Sequence, residues 1–197
     1  GKGGHGAVPQ ESIDPIVITC QIVNSLQTIV SRKINPLDPV VITCGRIQGG
    51  DCHNVIPNEV ELEGTIRTFN EETRNWVPKV MEDLIRGITT SQGAAYEFKY
   101  ETKYPALIND IYMSSFAKES LKKVVGEENV FDLKEPNMGG EDFAYFAQKV
   151  PSAFIFVGIA NNKSEPVIHH NPYFKWDSKN VGILAQSLSQ IAIDYLK

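Results

Sequence analysis

The chain has 197 residues, with 19 Lys and Arg against 24 Asp and Glu and a formal net charge of −5. With 42% hydrophobic and 22% charged residues it has the balance of an ordinary globular protein, long enough to bury one large core or two small ones. The acidic balance argues against a nucleic-acid partner, and the longest apolar runs, such as Ala153–Ile159, are too short to span a bilayer.

In chain order, Gly1–Val8 reads as extended or loop-like. No apolar stretch stands behind Lys2, so no signal peptide is expected, and the glycine-rich opening reads as a chain entered midway. Asp14-Pro15 starts a helix, with Asp as N-cap and Pro in the first helical position. Ile16, Cys20, Val23, Leu26 and Val30 follow at helical spacing. Pro39–Ile47 is rich in β-branched residues and reads as a strand. After the loop "QGGDCHN", Val55–Phe69 alternates Val60, Leu62, Gly64 and Ile66 with Glu61, Glu63, Thr65 and Arg67, the period of a half-exposed strand. Asn70 can cap a second helix with Trp76, Val80, Leu84 and Ile88 on one face, ending near Gly93. Pro78 should kink or delay that helix. Ala95–Lys103 alternates again.

This order, β-α-β-β-α-β, predicts a ferredoxin-like four-stranded antiparallel sheet with two helices on one face, over residues 1–103. Tyr104–Asn109 reads as a connector. In residues 104–197 the spacing predicts a helix over Ile111–Val125 stopping at Gly126, and a short strand around Phe131. A short helix follows over Glu141–Gln148, then a strand buried on both faces over Ala153–Ile159. A long terminal helix runs over Asp177–Leu196 with Val181, Leu184, Leu188, Ile191 and Tyr195 inward. The fold class is α/β. This second part has too few strands for a sheet of its own. Cys20, Cys44 and Cys52 are odd in number and form no CxxC, which suggests neither a disulfide framework nor a structural zinc site. Cys20 and Cys44 read as small buried residues, and the expected compartment is the cytoplasm.

Several stretches could carry chemistry. "GKGGHGAVP" lacks the spacing of a phosphate loop; its glycines let His5 approach a ligand closely, or leave it an incidental loop histidine. Asn54 either caps its turn or faces a ligand. Arg67 either clamps a carboxylate through two parallel hydrogen bonds or pairs with Glu61 or Glu63. In "NMGGEDFAYF", Glu141 and Asp142 suit a helix start, and the backbone N–H groups of Gly139 and Gly140 could face a substrate. The adjacent His169 and His170 of "PVIHHNPYF" suit a metal or a surface loop.

The order and separation of "GKGGHGAVP", "HNVIPNEVELEGTIRTF", "YP" at 104–105, "MGGEDFAYF" and "HHNPYF" are more specific than any one of them. Together they resemble the C-terminal half of the aminoacylase and carboxypeptidase group of metal-dependent amidohydrolases. The resemblance is nearest to the branch with hippurate hydrolase, N-acyl-amino-acid amidohydrolases and indole-acetyl-amino-acid hydrolases, and it covers the whole chain. It implies a lid domain that mediates homodimerisation, residues 1–103, and the C-terminal part of an α/β metallopeptidase catalytic domain, residues 104–197. It also implies His170 as a metal ligand, and His5 reaching a partner subunit's active site to polarise the scissile carbonyl. Asn54 and Arg67 become substrate contacts, with Gly139 and Gly140 lining the substrate cavity. The implied substrate is an N-acyl amino acid or small peptide, and the implied cofactors are two divalent ions (zinc, manganese, cobalt or nickel). At most one of their ligands belongs to this chain, because the "HxCGHD"-like motif, the Glu-Glu pair and the further histidine of this branch do not occur in it. The chain by itself is therefore expected to be inactive. The competing reading is a non-catalytic dimerisation or small-molecule-binding module, and a third is a self-contained metal site of Glu141, Asp142, His169 and His170.

Overall fold

The computed structural model describes residues 1–159 and 169–197; Pro166, Val167 and Ile168 of "PVIHHNPYF" lie outside the described residues. The chain divides into two compact units: Gly1–Ala106 with Met138–Gly140, and Leu107–Asn137 with Glu141–Lys197.

In the first unit, helix α1 spans Pro15–Arg32 and helix α2 spans Glu71–Ser91. Both begin as their sequences dictate. The Asp14 carboxylate accepts the amide N–H of Ile16 at 2.9 Å, and the Asn70 side-chain oxygen accepts those of Glu72 and Thr73 at 2.8 and 3.2 Å. α2 runs on through Pro78 without a delayed start. Only one intrahelical bond is lost there, and the preceding turn is tied down, since Thr73 donates to Asp38 and Arg74 to the Lys103 carbonyl at 2.6 Å.

Strand β1 is Gly4–His5, β2 is Val40–Gln48, β3 is Val55–Ile56 and β4 is Glu61–Thr68. β1 pairs antiparallel with β3, and β2 with β4, where the register shifts between Cys44 and Arg46. The expected single strand over Val55–Phe69 is thus two, separated at Pro57, which has no N–H to give a ladder. Ala95–Lys103 joins no ladder among the described residues. Its alternation survives, with Tyr96 and Phe98 half-buried between exposed Glu97 and Lys99, and the Tyr96 hydroxyl donates to Glu82 at 3.3 Å. Alternation encodes which face is covered, not whether another backbone stands at hydrogen-bonding distance.

One face of β2–β4 supplies Val40, Ile42, Leu62 and Ile66 to a core shared with Ile18, Ile22, Leu26 and Ile29 of α1 and Val77 of α2. Val80, Met81, Leu84, Ile85 and Ile88 pack against it. The buried stripe of α1 is therefore turned from the one expected: Leu26 belongs to both, but Cys20 and Ile16 are exposed. The buried stripe carries the large aliphatic Ile18, Ile22, Leu26 and Ile29 beside Thr19, and those aliphatic side chains gain more from burial than a thiol does. On α2 the expected face holds for Val80, Leu84 and Ile88, while Trp76 is exposed and neighbouring Val77 is fully buried. Cys44 is half-buried against this core, and burial pushes its thiol pKa up.

The second unit holds helices α3 (Ile111–Val125), α4 (Ala144–Ala147) and α5 (Lys179–Tyr195). α3 starts on Asp110, whose carboxylate accepts the Met113 N–H at 2.8 Å, and stops at Gly126, whose φ of 86° suits glycine. Neither Phe131 nor Ala153–Ile159 lies in a strand among the described residues, and Phe156 is 62% exposed rather than covered on both faces. The backbone of Phe154 is served instead by one side chain: Asn109 donates to its carbonyl at 3.0 Å and accepts its N–H at 2.8 Å.

α5 packs on α3 through Ser187, Ser120 and Ala117, all buried, and the Phe116 and Tyr195 rings meet edge-on at 5.9 Å. Of the inward stripe expected for α5, Val181, Leu184, Leu188 and Tyr195 are exposed. Apolar residues occur nearly all round this helix, so sequence alone does not single out one inner face.

Candidate functional site

Five of the six candidate residues fall in the first unit, where the structure brings four of them together in two pairs. The first pair is His5 and Asn54. His5 stands opposite Val55 in the β1–β3 ladder, and the Gly6 N–H donates to the Asn54 carbonyl at 2.8 Å, continuing the pairing by one residue. Gly6 is required by this close approach, since a Cβ there would stand 2.9 Å from the Asn54 carbonyl oxygen. Both side chains are further held. The Ala7 N–H donates to His5 Nδ1 at 3.0 Å, and the Cys52 thiol donates to Asn54 Oδ1 at 2.9 Å. The Asn54 side chain thus caps no backbone N–H of its turn among the described residues, and His5 and Asn54 both remain exposed.

The second pair is Arg67 and Gly140, from motifs far apart in sequence. Arg67 lies on β4 opposite Val41, on the sheet face away from the helices. One guanidinium nitrogen donates to the Ile66 carbonyl at 2.9 Å. The neighbouring glutamates do not take it. Glu61 and Glu63 both pair with Arg46, at 3.3 and 2.8 Å, and Arg67 has no carboxylate partner among the described residues. A Cβ on Gly140 would lie 3.2 Å from the Tyr104 ring and 3.7 Å from the Arg67 guanidinium. The backbone of the "MGG" segment therefore runs against Arg67 and Tyr104, with Gly139 immediately before. A bulkier residue at 140 would crowd a cation that is otherwise free to meet an anion.

His170 belongs to the second unit. It is exposed, in a left-handed backbone conformation with φ of 65°, which histidine enters more readily than most residues. Asn171 shapes the turn beyond it, accepting the Tyr173 N–H on its side chain and the Phe174 N–H on its carbonyl, both at 2.9 Å. His169 instead sets its ring edge-on to Phe174 at 5.1 Å. This separates the two imidazoles: one packs, the other is presented. Glu141 turns onto its own backbone, accepting the Phe143 N–H at 3.2 Å ahead of α4, which has no side-chain cap. Among the described residues no three His, Cys, Asp or Glu side chains come together as a metal site, so a self-contained site of Glu141, Asp142, His169 and His170 is not formed. The described residues do not by themselves fit a pair of metal ions.

Two positioning groups were not legible in advance: the Ala7 amide, which carries no side-chain signal, and the Cys52 thiol. The spacing of Cys52 two residues before Asn54 in a glycine-led turn is the one hint the sequence offers.

Residues 5–193 match the family model described as peptidase family M20/M25/M40. The chain is 38% identical over 197 residues to the N-acetylcysteine deacetylase of Bacillus subtilis, covering 100% of this chain and 50% of that protein. It is 50% identical over 109 residues to the N-acyl-L-amino acid amidohydrolase of Geobacillus stearothermophilus, covering 55% of this chain and 30% of that protein. Among solved structures it resembles the Bacillus subtilis YXEP protein, described as a dinuclear metal binding peptidase, with a TM-score of 0.69 and 33% identity over 95% of this chain and 47% of that one. The chain spans about half the length of the curated relatives it matches. No helix among the described residues is long and apolar enough to cross a membrane. On the family match and the likeness along its whole length, the chain belongs to peptidase family M20/M25/M40.

Proposed function

We propose that this chain is the lid and the C-terminal part of the catalytic domain of a metal-dependent amidohydrolase that cleaves the amide bond of N-acyl amino acids or small peptides. The observation that carries this reading is the meeting of Arg67 with Gly140. A guanidinium with no carboxylate partner among the described residues, next to a glycine backbone that leaves room beside it, suits the carboxylate of an acylated amino acid. Asn54 supplies a further polar contact. His5 offers an imidazole N–H to the carbonyl oxygen as negative charge develops on it, in the active site of a partner subunit.

Residues 1–103 would form the ferredoxin-like lid through which two chains associate. The antiparallel β2–β4 ladder, with α1 and α2 sharing one core on its face, supports that arrangement. His170 would give one imidazole to the metal pair, and the other ligands would come from polypeptide outside this chain. The metals, when bound, would supply an activated water and polarise the substrate carbonyl. The three cysteines are unbridged, in keeping with the reducing cytoplasm we propose.

The test is hydrolysis of hippurate-type substrates by the purified chain with added zinc, manganese or cobalt. No turnover is expected from the chain itself, and turnover is expected once it is fused behind the N-terminal half of a relative. Turnover by the chain without that addition, or a silent but folded fusion, would overturn the proposal.

A further inference from the structure

The β1–β3 corner holds two hydrogen bonds whose direction matters more than their strength. The Ala7 amide donates to His5 Nδ1 at 3.0 Å. A ring nitrogen that accepts cannot also carry a proton, so the neutral imidazole must hold its proton on Nε2. Beside it, the Cys52 thiol occupies Asn54 Oδ1 at 2.9 Å. The Asn54 Nδ2 group meets no acceptor among the described residues, and both side chains are exposed. In each residue the acceptor atom is used internally and the donor is left outward. The Gly6 to Asn54 bond keeps the two on adjoining positions of one ladder.

We infer that the Ala7 amide and the Cys52 thiol are positioning groups that fix His5 and Asn54 as a pair of hydrogen-bond donors for substrate oxygens, through Nε2–H and Nδ2–H2. This rests on the reading above that His5 and Asn54 meet the substrate; it adds which atoms do so and what sets them. His5 then serves as a neutral donor and not as a base, and Cys52 acts through Asn54 and not as a nucleophile.

The primary test is a nitrogen-15 NMR spectrum of the chain labelled in histidine at neutral pH, with His5 assigned by loss of its signals in His5→Gln. A protonated Nε2 and a bare Nδ1 are expected. A predominant Nδ1–H form, or an averaged mixture of the two, overturns the inference. Ala7→Pro removes the donor and is expected to give the mixture, with the wild-type spectrum standing should this variant fold poorly. For Cys52, the Asn54 side-chain N–H2 signals are expected to move in Cys52→Ala and return in Cys52→Ser, whereas identical signals in all three proteins overturn that half. In the fused enzyme of the preceding test, His5→Ala is expected to lower kcat about a hundredfold with little change in KM. An Nε2–H spectrum with unchanged kcat would sink the functional reading, and with it the role of the pair, but not the tautomer.

Discussion

The two units differ in how they handle apolar surface. The first closes around Ile18, Ile22, Leu26, Ile29, Val40, Ile42 and Val77, large side chains from three elements that converge. In the second, the buried ones among the described residues are Ala117, Ser120, Ala144 and Ser187, while Ile111 is 86% and Leu188 54% exposed. One unit stands on side-chain burial. The other combines ring contacts, Phe143 with Phe146 and Phe154 and Phe116 with Tyr195, with polar pairs such as Lys123 with Asp194 and the Asn109 clamp on Phe154. An uncovered apolar surface of that extent ordinarily marks an interaction site. It supports the proposal that further polypeptide completes the catalytic domain around this unit.

The sharpest way to break the comparison is truncation at matched positions. Leu26→Ala or Ile29→Ala should cost about 2–5 kcal/mol in denaturant unfolding followed by a reporter in the first unit. Leu188→Ala or Ile111→Ala should cost less than about 0.5 kcal/mol by a reporter in the second. Equal losses would mean that the units do not differ as described. Glycine replacements give a smaller contrast. Gly64→Ala places a Cβ 2.4 Å from the Thr43 carbonyl oxygen across the β2–β4 ladder and should destabilise by about 1–3 kcal/mol. Gly182→Ala in α5 meets nothing within 4 Å and should stabilise by roughly 0.5–1 kcal/mol, read as a rise in thermal midpoint.

Capping comes next. Asp14→Ala should lower stability of the first unit by about 1 kcal/mol, with Asp14→Ser recovering most of it.

The last prediction concerns acid. The Asp194 carboxyl is lowered to about 2, first by the Lys123 hydrogen bond and then by those of Ser120 and Gln190. A lowered carboxylate stabilises the fold above its ordinary range near 3.8, and that contribution disappears as pH falls towards 2. Lys123→Ala should raise the Asp194 midpoint towards 3.8 in an NMR titration and bring acid loosening of α3 from α5 to higher pH. An unmoved midpoint would show that Lys123 is not the main cause.

Local signals read well: the Asp14 and Asn70 caps, the Gly126 stop and the alternation of β4 all appear as written, because each depends on residues a few positions apart. Failures begin where two local choices are nearly equal. α1 carries two apolar stripes, and only contact with β2 and α2 selects the one that includes Ile18, Ile22 and Ile29. Ala95–Lys103 and Ala153–Ile159 have the composition of strands, but a strand needs a neighbour, and no local pattern states where that neighbour lies. The candidate site divides in the same way. The motifs named His5, Asn54, Arg67, Gly140 and His170, yet the pairing of Arg67 with Gly140 was not visible, nor was the preference of Glu61 and Glu63 for Arg46.

By itself the sequence determined the long helices, the caps of α1, α2 and α3, the family and the residue types at the site, because those rest on short-range spacing and on motifs that tolerate little change; the helix expected over Glu141–Gln148 is only Ala144–Ala147. Tertiary structure alone decided which stripe of α1 is buried and that Glu61 and Glu63 pair with Arg46 and not with Arg67. Both depend on residues distant in sequence, because packing and ion pairs form only where β2, β4 and the two helices bring side chains to within about 4 Å.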